Sequence, residues 1–259
     1  MVEITFPTNV QNIRPCDENL GQSSFSFLYF FHTPTPVLFI YVENPRTAEH
    51  KWLLGDIIVS ITERNDTTMS KIAVIFPGMG YHSDKPLLYF AKRLAREAGY
   101  EVVEVNYEFP FKAREIMNDK ARMKEAFKMA VSQIKEQLGE MSFDQSEDVV
   151  FVGKSIGTAL AAYFDSELEV GARQVVFTPV PQTFDRVRKG SGIVFRGLAD
   201  PWCDTAIAEE KCAELELPLY KVERANHSLE TDDPMEDLSN LKWIMDKVKD
   251  FLVDGTIDA

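Results

Sequence analysis

VVFVGKSIGTALAAYF, residues 149–164, changes character in its middle. Four apolar residues suited to a buried strand run into Gly153-Lys154-Ser155-Ile156-Gly157, and an alanine-rich run with helical spacing follows. A polar serine at the junction of a buried strand and a buried helix needs a reason. Two chemistries use such a junction: the tail of a phosphate-binding loop, or a G-x-S-x-G turn that presents a nucleophile.

The phosphate-binding reading fails on spacing. G-x-x-x-x-G-K-[ST] would need glycine at position 148, where the chain has Asp148, and its four intervening residues would be Val149 to Val152. Those residues read as strand and cannot also wrap a phosphate as loop. A dinucleotide fingerprint could instead use Gly78-Met79-Gly80 after KIAVIF, but its third glycine position holds Ser83. The G-x-S-x-G turn meets each local requirement, because Gly153 and Gly157 stand where strand and helix must approach closely.

A serine hydroxyl becomes a good nucleophile only when a base accepts its proton and an anion orients that base. On such a turn the partners follow in the order acid, then histidine. His227, in RANHSLE, is the one histidine after Ser155. The acid belongs just after the preceding strand, where GLADPWCD offers Asp200 and Asp204. Asp200, immediately before Pro201, suits a loop leaving a strand end. Asp204 suits the cap of the helix that follows.

From Lys71 onward strands and helices alternate. KIAVIF is a strand, and DKPLLYFAKRLAREAG places Leu87, Leu88, Ala91, Leu94 and Ala95 on one helical face. EVVEVNY follows as a strand, and then a long helix carries Ile116, Met123, Phe127, Val131 and Ile134 to about Gly139. Beyond the quoted stretch come strands in RQVVFTPV, SGIVFRGL and LPLYKVE, with helices near Thr205–Glu214 and Asp237–Leu252. This alternation implies a mostly parallel sheet of about six to eight strands, covered by helices on both faces in three layers.

Residues 1–68 differ, with five prolines, little helical periodicity and a cluster of Phe and Tyr. Two readings stand side by side. VLFIYV and DIIVSITE are antiparallel edge strands of the sheet, or translation begins at Met69 and the extension is not native. Residues 69–259 form the main domain on either reading.

With 28 Lys and Arg against 41 Asp and Glu, the net charge of −13 disfavours nucleic acid and anionic lipid as partners. The three cysteines, Cys16, Cys203 and Cys212, have no metal-ligand spacing and read as reduced thiols of a cytoplasmic enzyme. SFSFLYFFHTPTPVLFIYV is broken at His32 to Pro36, so neither half reaches the ~20 residues of a membrane span. No metal, no cofactor and no membrane insertion are expected, and the partner is a small molecule.

From Lys71 to Leu252 the chain resembles the α/β-hydrolase superfamily, in its small, lid-poor bacterial members. FPGMGY, GKSIG, GLADPWCD and ANHSLE carry the resemblance in that order. The family usually shows His-Gly at its oxyanion loop, whereas Pro77 precedes Gly78 here. The resemblance implies a three-layer α/β sandwich and a catalytic set of Ser155, Asp200 and His227. It also implies an oxyanion hole from the N–H groups of Met79 and Ile156. The expected activity is cleavage of a carboxylic ester; a thioesterase, acyltransferase or peptidase would use the same residues. An inactive scaffold that only binds is the rival from another class.

Several neighbours invite roles. Tyr81 and His82, after the oxyanion loop, either line the substrate cleft or are exposed loop residues without a role. Trp202 is expected to line the cleft too, or to pack with Cys203 under the histidine loop. Lys154 either meets an anionic substrate or steadies the turn through an acidic neighbour. Phe109 and Phe111 form either an acyl-pocket wall or core. Only Pro181 to Gly190 occupies the place where many relatives insert a lid, so the site should be open.

Overall fold

In the computed structural model the described residues are 24–30, 37–43, 50–53, 70–116, 119–139 and 141–255. The chain divides into two units, Met1–Thr67 and Thr68–Ala259. In the first, β1 (Ser24–Phe30), β2 (Val37–Glu43) and β3 (His50–Leu53) form an antiparallel sheet in the order β1-β2-β3. VLFIYV, expected as an edge strand of the main sheet, therefore pairs within this sheet as β2. DIIVSITE and Met69 lie outside the described residues.

The second unit alternates as its sequence suggests. It runs β4 (Lys71–Phe76), α1 (Pro86–Glu97), β5 (Tyr100–Glu104), α2 (Ala113–Ile116) and α3 (Lys120–Gly139). Next come β6 (Asp148–Lys154), α4 (Ile156–Glu167), β7 (Arg173–Phe177) and β8 (Gly192–Gly197). It closes with α5 (Thr205–Glu214), β9 (Leu219–Val222) and α6 (Pro234–Asp254). The helix ends follow local chemistry. Asp204 caps α5 by accepting from Ala206 N at 2.8 Å, and Asp233 caps α6 with Pro234 in the first turn.

The long helix expected after EVVEVNY is two pieces. Ile116 belongs to the single turn α2, and α3 starts afresh behind Asp119, whose carboxylate accepts from Ala121 N and Arg122 N at 3.0 Å. The apolar spacing runs through this break, so periodicity could not reveal it. A carboxylate that bonds the next free N–H groups starts a helix there.

The six strands are all parallel, in the order β5-β4-β6-β7-β8-β9. A parallel sheet needs both faces covered. Ala73, Ile75, Val150 and Val152 pack with Leu88 and Ala91 of α1 and Ile244 and Val248 of α6. Their neighbours Ile72, Val74, Val149 and Phe151 face the other way, onto Ile134 of α3 and Leu160 and Phe164 of α4. This alternation is the two-residue period of a strand expressed as two cores. The chain steps outward from β4 to β5 and then returns past β4 to β6. The crevice beyond the carboxyl ends of β4 and β6 is thus the switch point where ligands bind such sheets.

Candidate active site

Ser155 closes β6 at that crevice. Its backbone sits at φ 58° and ψ −125°, a region that costs a non-glycine residue about 1–3 kcal/mol. The surroundings hold it there. Ser155 N donates to Phe177 O at 3.0 Å, and Thr158 Oγ1 donates to Ser155 O at 2.6 Å. A side chain at Gly153 would put its Cβ 2.7 Å from Thr158 Cα, and one at Gly157 would put it 2.1 Å from Phe76 O. Both glycines are therefore required for β4, β6 and α4 to converge on the serine.

The imidazole of His227 reaches this serine from the far end of the sheet. Its Nε2 lies 2.7 Å from Ser155 Oγ, and its Nδ1 lies 2.8 Å from Asp200 Oδ2. A carboxylate can only accept, so Nδ1–H donates to Asp200 and Nε2 is free to accept from the serine hydroxyl. Asp200 Oδ1 accepts from Trp202 N at 2.9 Å, and the carboxylate is fully buried. Asp204, the alternative acid, is occupied as the α5 cap.

The loop carrying His227 is built by Asn226. Its Oδ1 accepts from Ser228 N at 2.7 Å, and its N–H donates to Glu230 O at 2.8 Å. This loop lies hard against the end of β8, where a Cβ on Gly197 would fall 2.2 Å from Ala225 O. Ala199 N donates to that same carbonyl at 2.9 Å. One close approach therefore sets the acid loop and the histidine loop against each other.

Two buried basic side chains act on the imidazole by their charge. Arg196, 2% exposed, donates through Nη2 to Thr205 Oγ1 at 2.9 Å, and its Nη1 lies 3.8 Å from Asp200 Oδ2. Sequence reasoning passed over Arg196, although a charge inside the apolar strand GIVFRGL was the available signal. Lys154 is 1% exposed, with Nζ 4.9 Å from the Tyr81 ring centre. Burial pushes its ammonium down to about 7 from an ordinary 10.5, with the Asp200 charge acting the other way. Burial likewise lowers the His227 imidazole, opposed by its bond to Asp200 and aided by the charges of Lys154 and Arg196.

A cavity of about 390 Å³ opens at Ser155, within the ~300–1,000 Å³ range of small-molecule sites. Met79 and Ile156 flank the serine on its wall, and Trp202, Ile116, Met123 and Phe127 extend it. Met79 and Gly80 form the tip of a tight turn whose Gly78 and Tyr81 exchange both backbone hydrogen bonds. Trp202 lines the cavity, but Tyr81 does not. The Tyr81 ring is 5% exposed in the core under α1, and its hydroxyl accepts from Leu87 N at 3.2 Å. Burial raises that phenol to about 12. The turn puts Tyr81 on the sheet side of the loop, so the residue two after Met79 faces inward.

His82 is exposed and accepts from Asp84 N, serving its own turn. Phe109 and Phe111 stack at 5.9 Å and line a separate hollow beside Met79. Nothing among the described residues groups three or more His, Cys, Asp or Glu as a metal site. No helix among them is long and apolar enough to cross a membrane.

No protein-family model matches the chain, and no curated protein matches it in sequence. Solved structures match it in fold. Est1E from Butyrivibrio proteoclasticus is 10% identical, with 88% of this chain and 98% of that one covered at a TM-score of 0.50. Est1E with ferulic acid bound is 12% identical, over 74% and 91% of the two chains, again at 0.50. XC6422 from Xanthomonas campestris, an α/β serine hydrolase without a lid, is 14% identical over 99% of each chain at 0.46. The chain has the α/β-hydrolase fold.

On an α/β-hydrolase fold a serine at the strand-to-helix turn, an acid after a later strand and a histidine after the last one meet at the carboxyl edge. Here those positions are the ends of β6, β8 and β9. Part of the cavity wall comes from α2 and α3, after β5. The connection between β7 and β8 holds only the short turn Pro181–Asp185.

Proposed function

We propose that the protein is a serine hydrolase that cleaves a carboxylic ester or related acyl compound through an acyl-enzyme on Ser155. The observation that carries this reading is the 2.7 Å contact between His227 Nε2 and a serine held in a strained turn at the mouth of a cavity.

In this mechanism Ser155 Oγ attacks the acyl carbonyl carbon while Nε2 takes the hydroxyl proton. Asp200 holds the imidazole in the tautomer that can accept and stabilises the imidazolium that results. The tetrahedral oxyanion is met by the N–H groups of Met79 and Ile156; such donors typically contribute about 3 kcal/mol each. The bond to the leaving group then breaks, and the imidazolium returns its proton to the departing oxygen or sulfur. Water repeats the sequence. Its oxygen bonds to the acyl carbon, Nε2 takes its proton, and the Ser155 Oγ bond breaks with return of the proton. Ile156 is the first residue of α4, whose N–H has no partner inside the helix, which supports its role as a donor.

A fluorophosphonate probe tests the reading directly. The wild type is expected to be labelled, and labelling should vanish in Ser155→Ala and His227→Ala. A folded wild type that resists the probe would overturn it.

A further inference from the structure

We infer that the acyl group this protein takes carries a negative charge at its far end, held by Lys120 and Lys124 at the mouth of the Ser155 cavity. This rests on the reading of Ser155 as nucleophile and adds a substrate class to it.

The cavity wall contributed by α3 has two stripes. Met123 and Phe127, four residues apart, form an apolar one, and Lys120 and Lys124, also four apart, form the one beside it. Both lysines line the cavity and are exposed, the arrangement in which a lysine stem covers apolar surface while its ammonium stays in water. Two like charges four apart on a helix repel, and neither lysine pairs with a carboxylate among the described residues. An anion between them would relieve that repulsion. Arg186, on the same lining, is already engaged by Glu167 at 3.0 Å and by the Tyr163 ring. Asp185 is the one carboxylate on the lining.

The local charge runs against the whole. Residues 112–128 hold six Lys or Arg against three Asp or Glu, in a chain with 28 against 41. A protein of net charge −13 repels an anionic ligand at long range, and Lys120 and Lys124 on the cavity lining supply attraction at short range. An uncharged acyl chain would gain nothing from it.

Topology says which part of the substrate meets the lysines. The imidazole comes from the loop after β9, while α2 and α3 follow β5 at the opposite end of the strand order. The leaving group must reach the imidazole to receive its proton, so the acyl part extends along α3. At the ~30 Å³ that a water molecule takes in the liquid, the cavity admits an acyl group on the order of ten non-hydrogen atoms.

Carboxylate and phosphate share this chemistry, and p-nitrophenyl esters distinguish them. Three acyl chains of equal length, ending in methyl, carboxylate or phosphonate, are compared by kcat/KM at low salt. At least one charged ester is expected to exceed the neutral one by about tenfold, with the advantage shrinking as salt is added. The better charged terminus identifies the anion. In the double variant Lys120→Glu with Lys124→Glu the order should invert. A wild-type ratio at or below one, or a ratio unchanged in the double variant, overturns the assignment. If Ser155 still takes the fluorophosphonate, only the charge assignment falls; if it does not, the nucleophile reading falls with it.

Discussion

Trp202 lies stacked on the His227 imidazole, ring centres 5.4 Å apart and planes 30° apart. The same residue donates its backbone N–H to Asp200 Oδ1. One side chain thus orders the base while its own backbone orders the acid, and the indole also walls the cavity. Replacing it by alanine keeps the backbone bond and removes the stack. Aromatic pairs of this kind contribute about 0.5–1.5 kcal/mol. Trp202→Ala should therefore lower kcat/KM on a p-nitrophenyl ester by roughly three- to tenfold, and Trp202→Phe should recover most of it.

The pH profile follows from the buried imidazole. Only neutral His227 can accept the serine proton, and burial lowers its pKa below the ordinary 6.5. The acidic limb of kcat/KM should therefore lie below 6.5. Lys154 contributes to the lowering, so Lys154→Met should move the limb to higher pH. A limb that stays in place in this variant would remove the lysine from the account.

Lys154 also has a stability signature. Its folded-state pKa is about 7 against 10.5 when exposed, so between these values the unfolded chain binds more protons. Stability should accordingly rise with pH across that window, with the full cost of the buried charge present below it. Lys154→Met should gain more over the wild type in urea denaturation at about pH 6 than at about pH 9.

The turn at Ser155 separates stability from activity. Ser155→Gly removes backbone strain of about 1–3 kcal/mol at the cost of about 0.5–1 kcal/mol in chain entropy. The urea midpoint should rise by an amount equivalent to about 1 kcal/mol while all turnover is lost.

Gly157→Ala works in the opposite sense. Its Cβ would stand 2.1 Å from Phe76 O and 2.4 Å from Pro77 O, both backbone atoms that cannot give way alone. Overpacking of this kind typically costs about 1–3 kcal/mol, read as a lower melting temperature together with lost activity.

Much of this was legible in residues close in sequence. The strands of the main sheet, α5 with its Asp204 cap and the glycine-flanked serine are local statements, because pairing period, helix capping and a tight turn each involve a few adjacent residues. The break at Asp119 escaped because apolar periodicity continues in phase across it. Tyr81 was misplaced because a loop residue carries no periodicity to say which side it faces.

By itself the sequence determined the alternation of strands and helices, the two faces of each strand and the turn that strains Ser155. These follow from backbone sterics and from the period of apolar residues, which act over one turn or one strand. Only the tertiary structure decided that His227, 72 residues from Ser155, stops at hydrogen-bonding distance. It alone set Lys154 and Arg196 as charges around the imidazole and turned α3 into the cavity wall. Such meetings depend on the order in which strands join the sheet and on how closely Gly153, Gly157 and Gly197 let the backbone pack. Contacts between distant segments are a property of packing, which no local pattern records.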